Sequence, residues 1–99
     1  MLNVGKQDKG QSIMEKSEIK TKIRGKLAEL AGELGNDVSQ IRDDDIIPAT
    51  GLVDSAGILG LVVWYEKAFD MSLRQEEINI DNLGSIESMA DYVLKRKNG

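Results

Sequence analysis

The chain of 99 residues has no cysteine, no histidine and a single proline. Without cysteine there are no disulfides, no thiolate nucleophile and no sulfur-ligated zinc, and without histidine the usual proton shuttle of neutral pH is missing. An independent enzyme is therefore not expected: no residue is assigned as catalytic and none as a metal ligand. Ten glycines against four aromatic residues point away from a β-sandwich. Long apolar runs are also lacking. The longest, Ala56 to Tyr65, contains Gly57 and Gly60 and reaches half of the roughly 20 residues needed to span a bilayer. With no basic, apolar, small-residue signal at the start of the chain, a cytoplasmic protein without membrane insertion is expected.

What is present suffices for one small domain, with 40% hydrophobic and 30% charged residues, and an all-α fold is the expectation. The net charge of −4 is unevenly spread. Residues 1–35 carry seven basic and five acidic side chains, residues 36–91 three and twelve, and residues 92–99 three basic and no acidic ones. The acidic middle repels nucleic acid, so no nucleic-acid partner is expected. It also offers a steering field to a partner with a basic patch.

Residues 1–11 mix Gly5, Gly10, Lys and Gln without an apolar period and read as a flexible tail ahead of a domain over 12–97, with 98–99 as a C-terminal tail. Ser12 and Glu15 have the spacing of a capping box. Ile19, Ile23, Leu27, Leu30 and Leu34 then follow at steps of four, four, three and four, which predicts one helical stripe closed by Gly35. From Asn36 to Val53 the pattern loosens, with Pro48 and Gly51 as breakers, and a long loop pinned by Val38, Ile41, Ile46, Ile47 and Leu52 is expected. A second helix begins at Asp54 or Ser55 and is apolar over much of its circumference through Ile58, Leu59, Leu61, Val62, Val63, Trp64, Tyr65 and Phe69. That places it in the middle of a bundle, with Glu66, Lys67 and Asp70 in water and Trp64 and Tyr65 packed in the core. A short third helix is anchored by Leu73, Ile78, Ile80 and Leu83. The fourth is capped by Ser85 and carries Ile86, Met89, Ala90, Val93 and Leu94 on one face, with Lys95, Arg96 and Lys97 at its end.

Two constellations could carry chemistry. Asp43-Asp44-Asp45 opens a stretch of calcium-loop length ending at Asp54, but the sixth position, where the turn needs glycine, is Pro48 and the fifth is Ile47, so calcium is not expected. Asp54-Ser55 is a capping dipeptide at the start of an apolar helix. A hydroxyl there is exposed beside unpaired N–H groups and the positive end of the helix dipole, a setting that suits an attached phosphodiester or a phosphate alike.

Gly51-Leu52-Val53-Asp54-Ser55, the Leu/Val-rich helix ending in Glu66-Lys67-Ala68-Phe69, and Asn82-Leu83-Gly84-Ser85-Ile86 leading into Met89-Ala90-Asp91-Tyr92-Val93 resemble the acyl carrier protein family, with its peptidyl and D-alanyl relatives. The resemblance covers about Glu15 to Lys95. It implies an up-and-down four-helix bundle with a long loop between the first two helices and a short third one. It implies that a phosphopantetheinyl transferase moves a 4′-phosphopantetheine arm from coenzyme A onto Ser55, and that Asp54 helps the transferase recognise the site. It further implies that the arm holds an acyl or aminoacyl cargo as a thioester, received from a loading ligase and passed to transferases or synthases. The reactive sulfur would then come from the cofactor, which accounts for a chain without cysteine.

The residue after the serine is usually Leu or Met in that family and here is Ala56, while positions that often bear acids are Gly57 and Gly60. Ala56, Gly57 and Gly60, with Glu66 and Asp70, are the candidate partner-binding residues, and the small, uncharged first three point to a dedicated set of enzymes. A discrete, monomeric carrier of the aminoacyl, D-alanyl or peptidyl type is the first reading. The alternative is an unmodified helical bundle whose glycine-notched second helix docks proteins.

Overall fold

The structure, a computed structural model, describes residues 15–98, so the tail and the Ser12 cap lie outside the described residues. These residues are all-helical, with no strand among them.

Helix α1 (Lys16–Glu33) starts where the Glu18 carboxylate accepts the Glu15 N–H at 3.1 Å. Ile19, Ile23, Leu27 and Ala31 are fully buried. The inward row thus advances by four residues at every step, a ridge suited to packing on neighbouring helices. Leu30 packs at the margin of this row, and Leu34, expected to end the stripe, is instead the half-exposed C-cap. Gly35 follows at φ 77°, with Asn36 N–H on Ala31 O and Gly35 N–H on Gly32 O. This is a Schellman closure that a left-handed glycine permits.

The connection to the next long helix differs from the expected structureless loop. It contains a one-turn helix α2 (Ile47–Thr50), and Pro48 starts that turn rather than breaking the chain. Proline fits a first turn because the N–H it lacks would have had no helical partner. Val38, Ile41, Ile47 and Val53 are buried beneath the connection, whereas Ile46 faces solvent. Backbone bonds from Ile47 N–H to Gly84 O and from Glu87 N–H to Asp43 O, both 2.8 Å, tie it to the start of the last helix.

Helix α3 (Ser55–Ala68) packs on α1. It is not enclosed as its composition predicts: Leu61 and Tyr65 are buried, but Leu59 is 66% and Val63 44% exposed. Its exposed stripe is Ala56, Leu59, Val63 and Lys67, while the residues between are buried or half-buried. It closes on Asp70, a non-glycine residue at φ 52°, with Met71 N–H on Glu66 O at 2.9 Å.

The expected short third helix is divided. A 3₁₀ turn (Gln75–Glu77) is followed by a single α-turn, α4 (Ile80–Leu83), capped by the Asn79 side chain. Helix α5 (Ile86–Asn98) follows and packs on α1 and α4. At its head the Ser85 and Ser88 hydroxyls each accept the other residue's N–H at 3.0 Å, a reciprocal cap.

Charged side chains lace α1, the connection and α5 together. Lys16 pairs with Glu87 and Asp91, Lys20 with Glu87 and Asp43, and Arg24 with Asp43. Among the described residues no helix is long and apolar enough to cross a membrane.

Candidate functional site

The head of α3 is built by two residues with different tasks. Asp54 is the N-cap, and its Oδ1 accepts the Gly57 N–H at 2.8 Å. A carboxylate there satisfies one of the open donors and faces the positive end of the helix dipole. Ser55 is the first residue of the helix and is exposed. Among the described residues its hydroxyl makes no hydrogen bond, and the N–H groups of Ser55 and Ala56 find no acceptor. Cap and hydroxyl therefore do not compete: Asp54 holds the helix end, and Ser55 is left available.

Two backbone features aim this end. Gly51 takes φ 73° at the exit of α2, and Val53 is buried immediately before Asp54. The Thr50 hydroxyl accepts Leu52 N–H at 3.2 Å, and the Asn36 side-chain amide donates to Leu52 O at 2.9 Å. The approach to the serine is thus fixed from both flanks.

The candidate partner-binding residues divide by environment. Ala56 is exposed next to Ser55. A Cβ on Gly57 would stand 3.2 Å from Val53 Cβ and 3.3 Å from Asp54 Oδ1, so glycine there leaves room for the cap. Gly60 faces α1, where a Cβ would meet Leu30 at 3.9 Å. Glu66, expected in water, is half-buried and accepts the Leu73 N–H at 2.8 Å. Asp70 is exposed at the left-handed end of α3, and its carbonyl accepts the Lys97 ammonium at 3.2 Å. The exposed face beyond Ser55 is Ala56, Leu59 and Val63.

One turn past Ser55, a hollow of about 190 Å³ opens between α3, α2 and the α4 segment. Pro48, Ile58, Val62, Ile78, Ile80 and Leu83 form its walls. Ser55 and Ile58 are three residues apart on one helix and Val62 four further, so serine and hollow share a side of α3. Periodicity marks these residues as apolar but not as lining, because the walls come from three separate segments.

Trp64 and Tyr65, read as core, pack edge-on against Phe69 with ring centroids 5.8 and 5.6 Å apart. The three aspartates of the rejected calcium loop diverge. Asp43 takes Arg24 and Lys20, Asp44 pairs with Arg42, and Asp45 accepts the Arg42 N–H at 2.8 Å.

No family model, curated protein or solved structure matches the chain. The chemistry the site can perform therefore follows from its geometry. An unpaired hydroxyl on a helix N-terminus can accept a phosphoryl-linked group, and the open N–H groups beside it suit the charge that such a group brings.

Proposed function

We propose that the protein is a discrete acyl or aminoacyl carrier, not itself an enzyme, that bears a 4′-phosphopantetheine arm on Ser55. The observation that carries this reading is the placement of Ser55: first in α3, exposed, free of hydrogen bonds, and beside a capping Asp54. The residues fit the group. The unpaired N–H groups of Ser55 and Ala56 would hold the phosphate, and the small side chain of exposed Ala56 stands beside it.

The order of elements supports the same reading. The observation is an all-helical order of three longer helices, α1, α3 and α5, with a long α1–α3 connection and short turns before α5. In loading, Ser55 Oγ would bond to phosphorus with its proton passing to a base of the transferase, and the phosphoanhydride of coenzyme A would break with departure of adenosine 3′,5′-bisphosphate. The arm supplies a thiol on which cargo rides as a thioester. Asp54 keeps the helix end in place for a phosphopantetheinyl transferase, and the acidic region from residue 36 to 91 steers basic partners: the transferase, a loading ligase and downstream synthases or transferases. A cytoplasmic monomer, working where coenzyme A is used, completes the reading.

The test is intact-protein mass spectrometry after incubation with coenzyme A and a broad-specificity transferase. One phosphopantetheine should be gained by the wild type and none by Ser55→Ala. No gain on folded protein with several transferases overturns the proposal. Exposure of Leu59 and Val63 favours a second reading, an unmodified bundle that docks proteins through α3. On that reading Ser55→Ala retains full partner binding.

A further inference from the structure

The stretch from Ser72 to Leu83 differs from the rest of the domain in what holds it. None of its residues is buried. Leu73 and Leu83 rest on the core, and otherwise its attachments are polar. Leu73 N–H is held by Glu66, and the Ser72 carbonyl accepts Arg96 at 3.2 Å. The centre of the attachment is Glu77. One of its oxygens accepts the Tyr92 hydroxyl and the Arg96 guanidinium, the latter at 3.0 Å, while the other accepts the Arg74 N–H at 2.7 Å. Both ends are fixed, by buried Met71 on one side and by buried Gly84, whose carbonyl holds Ile47 N–H, on the other.

Immediately after this clasp come Ile78 and Ile80, 43% and 58% exposed, on the rim of the apolar hollow whose opposite wall is Ile58 and Val62. Large aliphatic side chains are thus held in water beside a space that would bury them. Burial is favoured by the hydrophobic effect, and segments with few buried contacts are those that move locally. Glu77 is meanwhile held to α5 through the Tyr92 hydroxyl and the Arg96 guanidinium.

We propose that Ser72–Leu83 is a strap and that Glu77, bound to Tyr92 and Arg96, is the latch that keeps the hollow open. Release of the latch lets Ile78 and Ile80 settle against Ile58 and Val62 and closes the hollow. The device goes beyond the carrier reading and operates whether or not Ser55 is modified, so its failure and that of the carrier role are separable.

The test uses the full chain with labelled methyl groups, observed by NMR under xenon, a small apolar probe of such spaces. In wild type, xenon should shift the methyls of Ile58, Val62 and Leu83. In Glu77→Ala those shifts should fall several-fold and cross-relaxation between Ile80 and Val62 methyls should strengthen, while Ile19 and Ile23 in α1 stay unchanged. Tyr92→Phe and Arg96→Gln, each removing one arm of the latch, should move the same signals in the same direction. Retained xenon shifts in all three variants, or changes spread equally into α1, overturn the proposal.

Discussion

The Tyr65 hydroxyl donates a 2.8 Å hydrogen bond to the Met89 carbonyl, so that α3 and α5 are joined through a fully buried phenol. Burial raises the Tyr65 pKa far above the ordinary 10.0, with Tyr92 adding to the effect, and the phenol remains neutral and donating across the working pH range. Tyr65→Phe keeps the ring contact with Phe69 and removes this bond. A loss of about 1 kcal/mol is expected, the usual net value of a protein hydrogen bond, read as a lower urea midpoint with unchanged slope.

At the site, Asp54 has a capping task and a proposed recognition task that one pair of substitutions separates. Asp54→Ala should cost about 1 kcal/mol by loss of the cap, whereas Asp54→Asn caps nearly as well. Thermal melts should therefore show Asp54→Asn close to wild type. If the charge serves the transferase, the same variant gains phosphopantetheine more slowly. Equal rates would confine Asp54 to the cap.

Glycines on α1 and at the end of α4 should respond oppositely to alanine. A Cβ on Gly25 or Gly32 meets nothing within 4 Å. Each alanine should then stabilise by up to about 1 kcal/mol, the helix-propensity difference. A Cβ on Gly84 would lie 2.4 Å from Ile80 O. Gly84→Ala should lower the melting temperature, because backbone at that distance must shift.

Asp70 occupies a left-handed position that glycine adopts without strain. Asp70→Gly should raise stability by a few tenths to about 1 kcal/mol, and Asp70→Val should lower it, since a β-branched side chain fits that region poorly. Chemical denaturation of the pair decides the matter.

Stability should fall at both ends of the pH range. The Asp43 carboxyl is held below its ordinary 3.8 by Arg24 and then Lys20, and Glu87 below 4.5 by Lys16 and then Lys20. Glu77 is lowered from the same 4.5, chiefly by the Tyr92 hydroxyl and then by the Arg74 N–H. Their contribution is complete above the unfolded carboxyl values and is lost as pH falls through the lower folded ones. Lys16, raised above 10.5 by Asp91 and Glu87, and Lys20, raised by Glu87 and Asp43, behave inversely. Their contribution is complete below 10.5 and disappears as pH rises through the folded values. Melting temperatures should form a plateau between these limits, and Glu87→Gln should flatten the acid arm. These pairs are partly exposed, so added salt should shrink the effect.

Much of the helical framework was legible from local chemistry. The row through Ile19, Ile23 and Leu27, the left-handed Gly35, the Asp54 cap and the Ser85 cap each depend on residues within one or two turns of each other. Pro48 opens a helical turn instead of breaking the chain, because its effect depends on whether a turn begins there, and that turn starts at the buried Ile47 beside it. The exposure of Leu59 and Val63 was not legible either. Composition shows that a helix is apolar all round, but not how many neighbours will cover it.

By itself, then, the sequence determined the three long helices, where α3 and α5 start, and that Ser55 stands at the head of one, because capping and periodicity act between near neighbours along the chain. Only the tertiary structure decided that Glu66 and Glu77 turn inward as anchors, that Lys16, Lys20 and Arg24 share Asp43, Glu87 and Asp91, and that a hollow opens beside Ser55. Those depend on side chains from segments far apart in sequence, which meet only once the helices have packed.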